Sequence, residues 1–207
     1  MIKKILFVLL FLLLTASAFA DINLGAGLKA GYGSSKSDLE DYAKARYTNY
    51  EYDDSSTSIF GIEAILDSNI GLPEQHRFGA KLGYQSRGSE TIKFPYSPGV
   101  TGKYEVKYWE VPLTLYYKYM ITNRWGVFAG FGGSLARAWD VAPSGEKITK
   151  VFPFVTGGAE YRFENGIALG LDLKYNAGAE FKKNSFLYRD VNGLEGTFAV
   201  RFYLTGL

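Results

Sequence analysis

The chain has 207 residues, a formal net charge of +2 and no cysteine. Its length suits one domain, and the lack of cysteine excludes both a disulfide framework and a lipid anchor on an N-terminal cysteine. The near-balanced charge gives no bulk attraction to nucleic acid, so we expect no nucleic-acid partner.

Residues 1–20 have the three parts of a cleavable secretory signal peptide. Lys3 and Lys4 supply the positive start, residues 5–14 the apolar run, and Ala18-Phe19-Ala20 the cleavage site. The apolar run is short for a membrane-spanning helix, which needs about 20 apolar residues. We therefore predict a cleaved signal peptide at 1–20 and one mature domain at 21–207. Removal of the two lysines cancels the net charge of +2.

Eight later segments show the alternation of apolar and polar side chains that is typical of β-strands. In the seventh segment, for example, the odd positions from Ile167 to Tyr175 are apolar, whereas the even positions are small or charged. The predicted strands are 22–32, 59–66, 77–85, 103–119, 125–139, 150–163, 167–175 and 195–204.

The fourth segment changes its parity. Its apolar residues up to Tyr108 are even-numbered, whereas those from Val111 onward are odd-numbered. One extra residue near Trp109 and Glu110 would explain the change, so we predict a β-bulge just before Pro112.

The connections between the predicted strands alternate in length. Those after the first, third, fifth and seventh strands are long and polar, and the others are short. Outer-membrane barrels sort their loops in this way, with short periplasmic turns and long external loops. The sequence therefore predicts an all-β fold, an eight-stranded antiparallel up-and-down transmembrane β-barrel. The long connections are 33–58, 86–102, 140–149 and 176–194, and the short ones are 67–76, 121–124 and 164–166.

The polar face of these strands predicts a charged lumen. Eight strands leave an interior just wide enough for side chains, and unpaired buried charges are costly. We therefore expect a paired network that fills the lumen, with a narrow ion path as the alternative. The predicted lumen charges are Lys29, Glu63, Arg77, Lys81, Lys118, Glu160, Arg162, Asp172, Lys174 and Arg201.

Aromatic residues cluster at the strand ends. Amphipathic rings favour the two headgroup levels of a membrane, so we predict a double girdle. The alternative is that Tyr and Phe are simply good strand formers. The outer members are Tyr32, Tyr84, Tyr108 and Tyr175, and the periplasmic members are Tyr119, Trp125, Tyr161 and Phe163.

Two adjacent strands carry a family resemblance. The segment Tyr108-Trp-Glu-Val-Pro-Leu-Thr-Leu-Tyr-Tyr-Lys-Tyr119, followed by Trp125-Gly-Val-Phe-Ala-Gly-Phe-Gly-Gly133, resembles the outer-membrane β-barrel domain family. Its members are small eight-stranded barrels related in architecture to OmpA and OmpX. The resemblance implies contact with outer-membrane lipid and lipopolysaccharide, and handling by periplasmic chaperones and the barrel-assembly machinery. Such proteins usually end in an aromatic residue, whereas this chain ends in Thr205-Gly206-Leu207.

Candidate catalytic and metal-binding residues are sparse. Barrel enzymes that modify lipid A use a histidine near the outer leaflet, whereas His76 lies in a predicted periplasmic turn, so we predict no enzyme. Loop 33–58 is acidic but lacks the spacing of a calcium loop, so we expect a solvated loop, no metal site and no cofactor. Its four tyrosines suit either adhesion or packing on the barrel rim.

The leading hypothesis is a small outer-membrane barrel of a Gram-negative bacterium with a structural, adhesive or surface-interaction role carried by its external loops. The sequence does not identify the surface partner. One alternative is a narrow porin-like channel, and another is a soluble exported lipocalin-like barrel with an apolar interior. A lipid-modifying enzyme dependent on His76 is a third alternative.

Overall fold

Strand alternation organises nearly the whole chain in the computed structural model, which describes residues 22–69, 72–97, 100–140, 145–182 and 188–204. The predicted signal peptide at 1–20 and the residues Thr205-Gly206-Leu207 lie outside that range. The described elements are β1 (Ile22–Gly33), β2 (Lys36–Ser37), α1 (Leu39–Arg46), β3 (Glu51–Asp54), β4 (Ser58–Ser68), β5 (His76–Ser97), β6 (Val100–Met120), β7 (Trp125–Asp140), β8 (Lys147–Arg162), β9 (Ile167–Asn176), β10 (Glu180–Lys182), β11 (Tyr188–Asp190) and β12 (Gly193–Leu204).

Eight of these strands form a closed antiparallel barrel. Each pairs with its neighbour in the chain order β1, β4, β5, β6, β7, β8, β9, β12. The first and last strands close the cylinder, with Leu24 opposite Leu204 and Gly33 opposite Glu195. The predicted fold class and the eight predicted strands are confirmed.

The barrel is apolar outside and polar inside. Leu28 is 60% exposed and Val151 is 69% exposed, whereas Lys118 and Arg201 are buried in the lumen. Such an outer surface suits contact with hydrocarbon, because its side chains are apolar. The closed barrel also pairs every strand edge within the protein, so no backbone group is left unpaired in the lipid. A lipocalin-like barrel needs the reverse arrangement, so that alternative is wrong. Within the described residues, no helix is long and apolar enough to cross a bilayer.

The predicted loop at 86–102 is wrong. Strands β5 and β6 continue through it as a hairpin, in which Thr91 lies opposite Glu105 and Phe94 lies opposite Gly102. The alternation of side chains continues above the membrane part of the strands, because Ile92 and Phe94 point inward and are buried whereas Lys93 between them is exposed. The length and polarity of this stretch predicted a loop, but most of its residues pair across the two strands.

The predicted bulge before Pro112 is also wrong. The register between β6 and β7 runs without a shift from Val106 opposite Asp140 to Met120 opposite Gly126. The irregularity lies instead in β5, where the register against β6 shifts between Arg87 and Glu90. The apolar parity in β6 changes because its inward face turns from polar to apolar outside the membrane.

The external segments fold into a cap over the outer mouth of the barrel. Segment 33–58 contributes β2, α1 and β3, and segment 176–194 contributes β10 and β11, which form a small sheet with β2. The cap has its own apolar core, which also includes the inward side chains of the extended barrel strands. Its buried members are Leu39, Ala43, Ile92, Phe94, Val106, Tyr108, Ala136, Ala138, Phe152, Ala179, Phe181 and Val191.

The short turns lie at the opposite, periplasmic end. Between β7 and β6, the Ile121 amide donates to the Trp125 carbonyl at 2.8 Å. Between β8 and β9, Gly166 adopts a φ of +80°, a left-handed conformation that favours glycine. Both turns agree with the short connections predicted at 121–124 and 164–166.

We predict that Phe181→Ala loosens the cap while the barrel stays closed. Phe181 is fully buried in the cap core, and truncating a buried phenylalanine costs about 3–5 kcal/mol. Hydrogen exchange in detergent micelles should show faster exchange in α1 and β11, with unchanged protection in β9 and β12. The matched control is Phe198→Ala on the lipid-facing surface of β12, which should leave the cap amides protected. Equal loss of protection in the barrel strands of Phe181→Ala would contradict this assignment.

Candidate functional site

The ten predicted lumen charges all lie on the inner face of the barrel, and the structure arranges nine of their side chains in two tiers, with Lys29 between the tiers. The lower tier, near the periplasmic end, contains most of them. It holds five cations, Arg77, Lys81, Lys118, Arg162 and Arg201, and the four carboxylates Glu63, Asp67, Glu160 and Asp172.

Arg201 on β12 is the centre of the lower tier. Its Nε donates to Oε1 of Glu63 at 2.7 Å, its Nη1 to Oε2 of Glu160 at 3.1 Å and its Nη2 to Asp172. One guanidinium thereby joins carboxylates from three other strands. Such a fork of charge-assisted hydrogen bonds fixes its partners in position, and its own side chain is fully buried.

A second set of bonds closes the tier at the periplasmic side. Lys118 Nζ donates to Asp67 Oδ2 at 2.8 Å and to Glu160 Oε1 at 2.9 Å. Arg162 donates to the same two carboxylates, from Nη2 to Asp67 Oδ2 at 2.7 Å and from Nε to Glu160 Oε1 at 2.8 Å. The Tyr203 hydroxyl donates to Glu160 at 2.8 Å. Asp67 was predicted only as the start of a turn, but the inward parity of β4 extends to it.

Glycines on the lumen face make room for these large side chains. A Cβ at Gly170 would lie 2.1 Å from Nη1 of Arg201, and one at Gly79 would lie 2.4 Å from Cζ of Tyr116. A Cβ atom does not fit at either position. The glycines on the lumen face of the strands are therefore required by the packing of the filled lumen.

The upper tier lies nearer the cell exterior and contains residues that the sequence reasoning missed. Lys174 Nζ lies 2.6 Å from Glu110 and 3.1 Å from Glu195. Arg87 and Asn176 also donate to Glu195, and Gln85 donates to both carboxylates. Glu110 was hidden by the assumed bulge, and Arg87 and Asn176 by the assumed loops.

A small cavity separates the two tiers. Its volume is about 30 Å³, and its lining includes Lys29, Lys81, Glu63, Asp172 and Glu195. One water molecule needs roughly 10–15 Å³ measured in this way, so the cavity holds a few waters at most. Lys29 forms no ion pair within the described part of the chain, and it is one of the residues that line this cavity.

Above the upper tier, Arg189 joins the cap to the barrel rim. This fully buried residue of β11 donates from Nη2 to the Ser56 carbonyl at 3.2 Å, and its guanidinium carbon lies 5.5 Å from the Tyr108 ring centre. Burial raises the pKa of Glu90 despite the nearby Arg189. Partial desolvation and a hydrogen bond with Tyr104 raise the pKa of Tyr47, which stacks on Phe94, to about 12.

Seven of the eight predicted girdle residues have outward parity. At the outer end, Tyr32, Tyr84 and Tyr175 are exposed on the barrel surface. At the periplasmic end, rings lie against each other: the centres of Trp125 and Tyr161 are 5.0 Å apart, and those of Tyr161 and Phe163 are 4.9 Å apart. Tyr119 is exposed beside these strands, with its ring centre 5.5 Å from His76.

Tyr108 was expected in the outer girdle, and that expectation is wrong. Its side chain is 1% exposed, points into the cap core, and donates to Glu110 Oε2 at 3.1 Å. Trp109 has the outward parity of β6 instead, and its ring centre lies 6.2 Å from that of Tyr84. Its odd position, shared with the lipid-facing Leu113 and Leu115, is the signal that could have identified it.

The remaining candidate sites for catalysis and metal binding are His76 and the acidic loop 33–58. His76 lies at the periplasmic start of β5, where its Nδ1 is 2.7 Å from the Tyr117 hydroxyl, far from the outer leaflet. In the acidic loop, Glu40 pairs with Lys44 at 2.9 Å and Glu51 with Lys93 at 3.2 Å. Among the residues that the structure describes, no group of three or more acidic or histidine side chains is placed to hold a metal ion.

Comparisons with known proteins agree with this architecture. The family model described as "Outer membrane protein beta-barrel domain" matches residues 6–202. The outer membrane protein OprG from Pseudomonas aeruginosa aligns with 12% identity and a TM-score of 0.51, over 89% of this chain and 96% of OprG. Ail, the attachment invasion locus protein of Yersinia pestis, aligns with 11% identity and a TM-score of 0.49, over 89% and 96% of the two chains. The likeness to OprG is evidence for a shared fold alone. No curated protein matches the sequence.

We predict that Arg201→Met destabilises the barrel far more than the loss of a surface ion pair. The substitution leaves three lumen carboxylates without their central partner, which costs about 3–5 kcal/mol. Urea denaturation in detergent, followed by tryptophan fluorescence, should show a lower midpoint urea concentration for Arg201→Met than for the wild type. Acid should narrow the difference in midpoint from the wild type, because protonation neutralises Glu63, whose ion-pair partner among the described residues is Arg201.

The matched control for that experiment is Arg124→Met. Arg124 pairs with Glu164 in the exposed periplasmic turns, where both side chains are more than half exposed. Exposed pairs contribute at most about 1 kcal/mol, so the midpoint should hardly move. Similar midpoints for the two variants would show that Arg201 does not organise the lumen.

Proposed function

The chain belongs to the outer membrane protein β-barrel domain family, and we propose that it uses its folded external cap as a surface for interaction outside the cell. A bacterial outer-membrane location follows from the family. The barrel then serves as a membrane anchor, and the cap is the part presented to the cell exterior.

The observation that carries this proposal is the continuous apolar core beneath the cap. Phe181 of β10 and Phe152 of β8 are both almost fully buried, and their ring centres lie 6.4 Å apart in an edge-to-face arrangement. Tyr108 of β6 packs against Phe181 at 5.6 Å. Loops held on the barrel by such contacts lose little conformational entropy when a partner binds, which favours recognition by the cap.

The filled lumen supports an anchor over the alternative of a narrow channel. An ion crossing the barrel would have to pass the Arg201 fork, the Lys174 pairs and then the apolar core of the cap. Breaking any of these layers is costly, since each buries paired charges or close-packed side chains. We propose that the lumen charges have a structural role and that the outward aromatic rings anchor the barrel at the two headgroup levels.

A catalytic role is not part of this proposal. The one histidine, His76, faces the periplasmic end, so a lipid-modifying reaction near the outer leaflet would lack its general base. The proposal also includes export by a cleaved signal peptide at 1–20, with the barrel domain beginning at Asp21. Chaperones of the periplasm and the barrel-assembly machinery would deliver it to a membrane of lipid and lipopolysaccharide.

We predict that the purified monomer does not conduct ions. Recordings in planar bilayers should show no reproducible open state for the wild type, because three layers block the lumen. Removal of the cap-core contact through Phe181→Ala should also leave it closed, since both charge tiers remain. Reproducible openings of the wild-type monomer would favour the channel alternative.

We predict that protease treatment of intact cells cuts only in the external segments 33–58, 86–102, 140–149 and 176–194. Cutting should be slow in the wild type, because a protease requires local unfolding of the cap. It should be several-fold faster in Phe181→Ala, whereas Phe198→Ala serves as the control with wild-type rates. Cleavage at Arg124 or in 163–166 of intact cells would reverse the orientation and overturn the proposed display of the cap.

A further inference from the structure

We propose that the barrel lumen binds one small monovalent anion, such as chloride, in the cavity between the two tiers. The ion lies beside Lys29 of β1, which has no ion-pair partner among the described residues. The inference goes beyond the proposed function, because it concerns the interior of the barrel and not what the cap binds. We call this cavity the Lys29 cavity; its lining includes Lys29, Lys81, Thr114 and Thr197.

The formal charges of the two tiers and Lys29 do not balance. In the part of the chain that the structure describes, this set contains eight cations and six carboxylates, an excess of two positive charges. Water at the periplasmic end reaches Arg77 and Arg162, whose side chains are 11% and 16% exposed. Lys29 lies deeper, between the tiers, so its charge needs a counterion inside the barrel. The cations are Lys29, Arg77, Lys81, Arg87, Lys118, Arg162, Lys174 and Arg201, and the carboxylates are Glu63, Asp67, Glu110, Glu160, Asp172 and Glu195.

The strand register explains why Lys29 lacks a partner. Lys29 lies opposite Gly61 on β4 and opposite Ala199 on β12, and neither side chain can accept a hydrogen bond. Its inward neighbours along β1 are Gly27 and Gly31. The Lys29 side chain extends over Gly61, where a Cβ would lie 3.0 Å from Lys29 Cε. The sequence therefore carries a positive charge into the lumen without placing a carboxylate at the same level on either adjacent strand.

The carboxylates in the lining of the cavity are already paired with cations of the tiers. To neutralise Lys29 directly, one of them would have to move away from its present partner or share itself between two cations. An anion from solution neutralises Lys29 and leaves those ion pairs intact. The pairs are Glu63 with Arg201, Asp172 with Lys81 and Glu195 with Lys174, at N–O distances of 2.7, 3.2 and 3.1 Å.

The cavity suits a small anion in its size and in its hydrogen-bond donors. Its volume of about 30 Å³ is about twice what one water molecule needs, so a chloride or bromide ion fits. Polyatomic anions such as phosphate and gluconate are too large. The ammonium groups of Lys29 and Lys81 each have three donors, and the hydroxyls of Thr114 and Thr197 can add one each.

The two tiers close the Lys29 cavity at both ends. The hydrogen bonds of Arg201 lie on its periplasmic side, and the pairs of Lys174 lie on its outer side. The ion would therefore enter while the barrel folds and leave the folded protein slowly. Such an ion neutralises the lumen without providing a path for conduction.

The test measures bromide that is trapped during folding. The full-length processed protein is refolded from urea into detergent in sodium bromide, transferred to sodium gluconate by gel filtration, and analysed for bromine by X-ray fluorescence. The variants are Lys29→Gln and Lys29→Met. The matched control, Lys36→Gln, removes the same charge from an exposed position on β2.

We expect the wild type and Lys36→Gln to retain about one bromide per chain, since the cavity has room for a single ion of this size. Both Lys29 variants should retain at most about a tenth as much, because the charge that attracts the ion is gone. In a second measurement, urea unfolding at equal ionic strength should give the wild type a higher midpoint in sodium chloride than in sodium gluconate. The Lys29 variants should show no such difference, because an ion that binds only the folded state stabilises that state.

A wild-type protein that retains no bromide would overturn the inference in favour of water alone in the cavity. Equal retention by the wild type and the Lys29 variants would also overturn it, since the bromide would then lie elsewhere. Heat-modifiable migration reports whether each variant is folded. The comparison of the two salts needs no variant, and equal wild-type midpoints in chloride and gluconate would count against the site. Protease treatment of cells tests the display of the cap separately.

Discussion

Ion pairing within a lumen of fixed width is the constraint on which the rest of the structure depends. The outer surface must be apolar because it meets hydrocarbon, so the polar half of each strand alternation is forced inside. Eight strands leave no room for bulk water there, and each buried charge needs a partner. Arg201 meets the need by joining Glu63, Glu160 and Asp172, and Gly170 provides the space for its guanidinium.

Outside the membrane the same inward face changes its chemistry, and this change creates the cap. Beyond the upper tier, inward positions such as Ile92 and Val106 are apolar, because the surroundings on the outer side of the strands are now water. The alternation is thereby inverted relative to the membrane part of the same strands. The external segments cover this exposed apolar mouth with α1 and the β10–β11–β2 sheet. Barrel and cap thus share one set of strands.

This inversion also explains how far the sequence could predict the structure. The alternation of apolar and polar residues located all eight barrel strands and placed ten charges on the lumen face. It succeeded there because, within the membrane, an apolar side chain faces lipid. The same rule failed beyond the membrane, where Tyr108 is apolar and inward. It then produced the false bulge before Pro112 and concealed Glu110, whose even position faces the lumen. Contacts between distant segments, such as Arg189 with Ser56, leave no local signal in the sequence.

The position of Arg201 on β12 has a consequence for assembly. Glu63, Glu160 and Asp172 lie on three other strands, so they gain their shared cation only when β12 takes its place in the barrel. The pairing of β1 with β12 depends on the same strand. The same strand therefore both closes the cylinder and joins these three carboxylates. An intermediate that lacks β12 exposes unpaired strand edges and leaves Glu63 without its ion-pair partner, and both features distinguish it from a finished barrel.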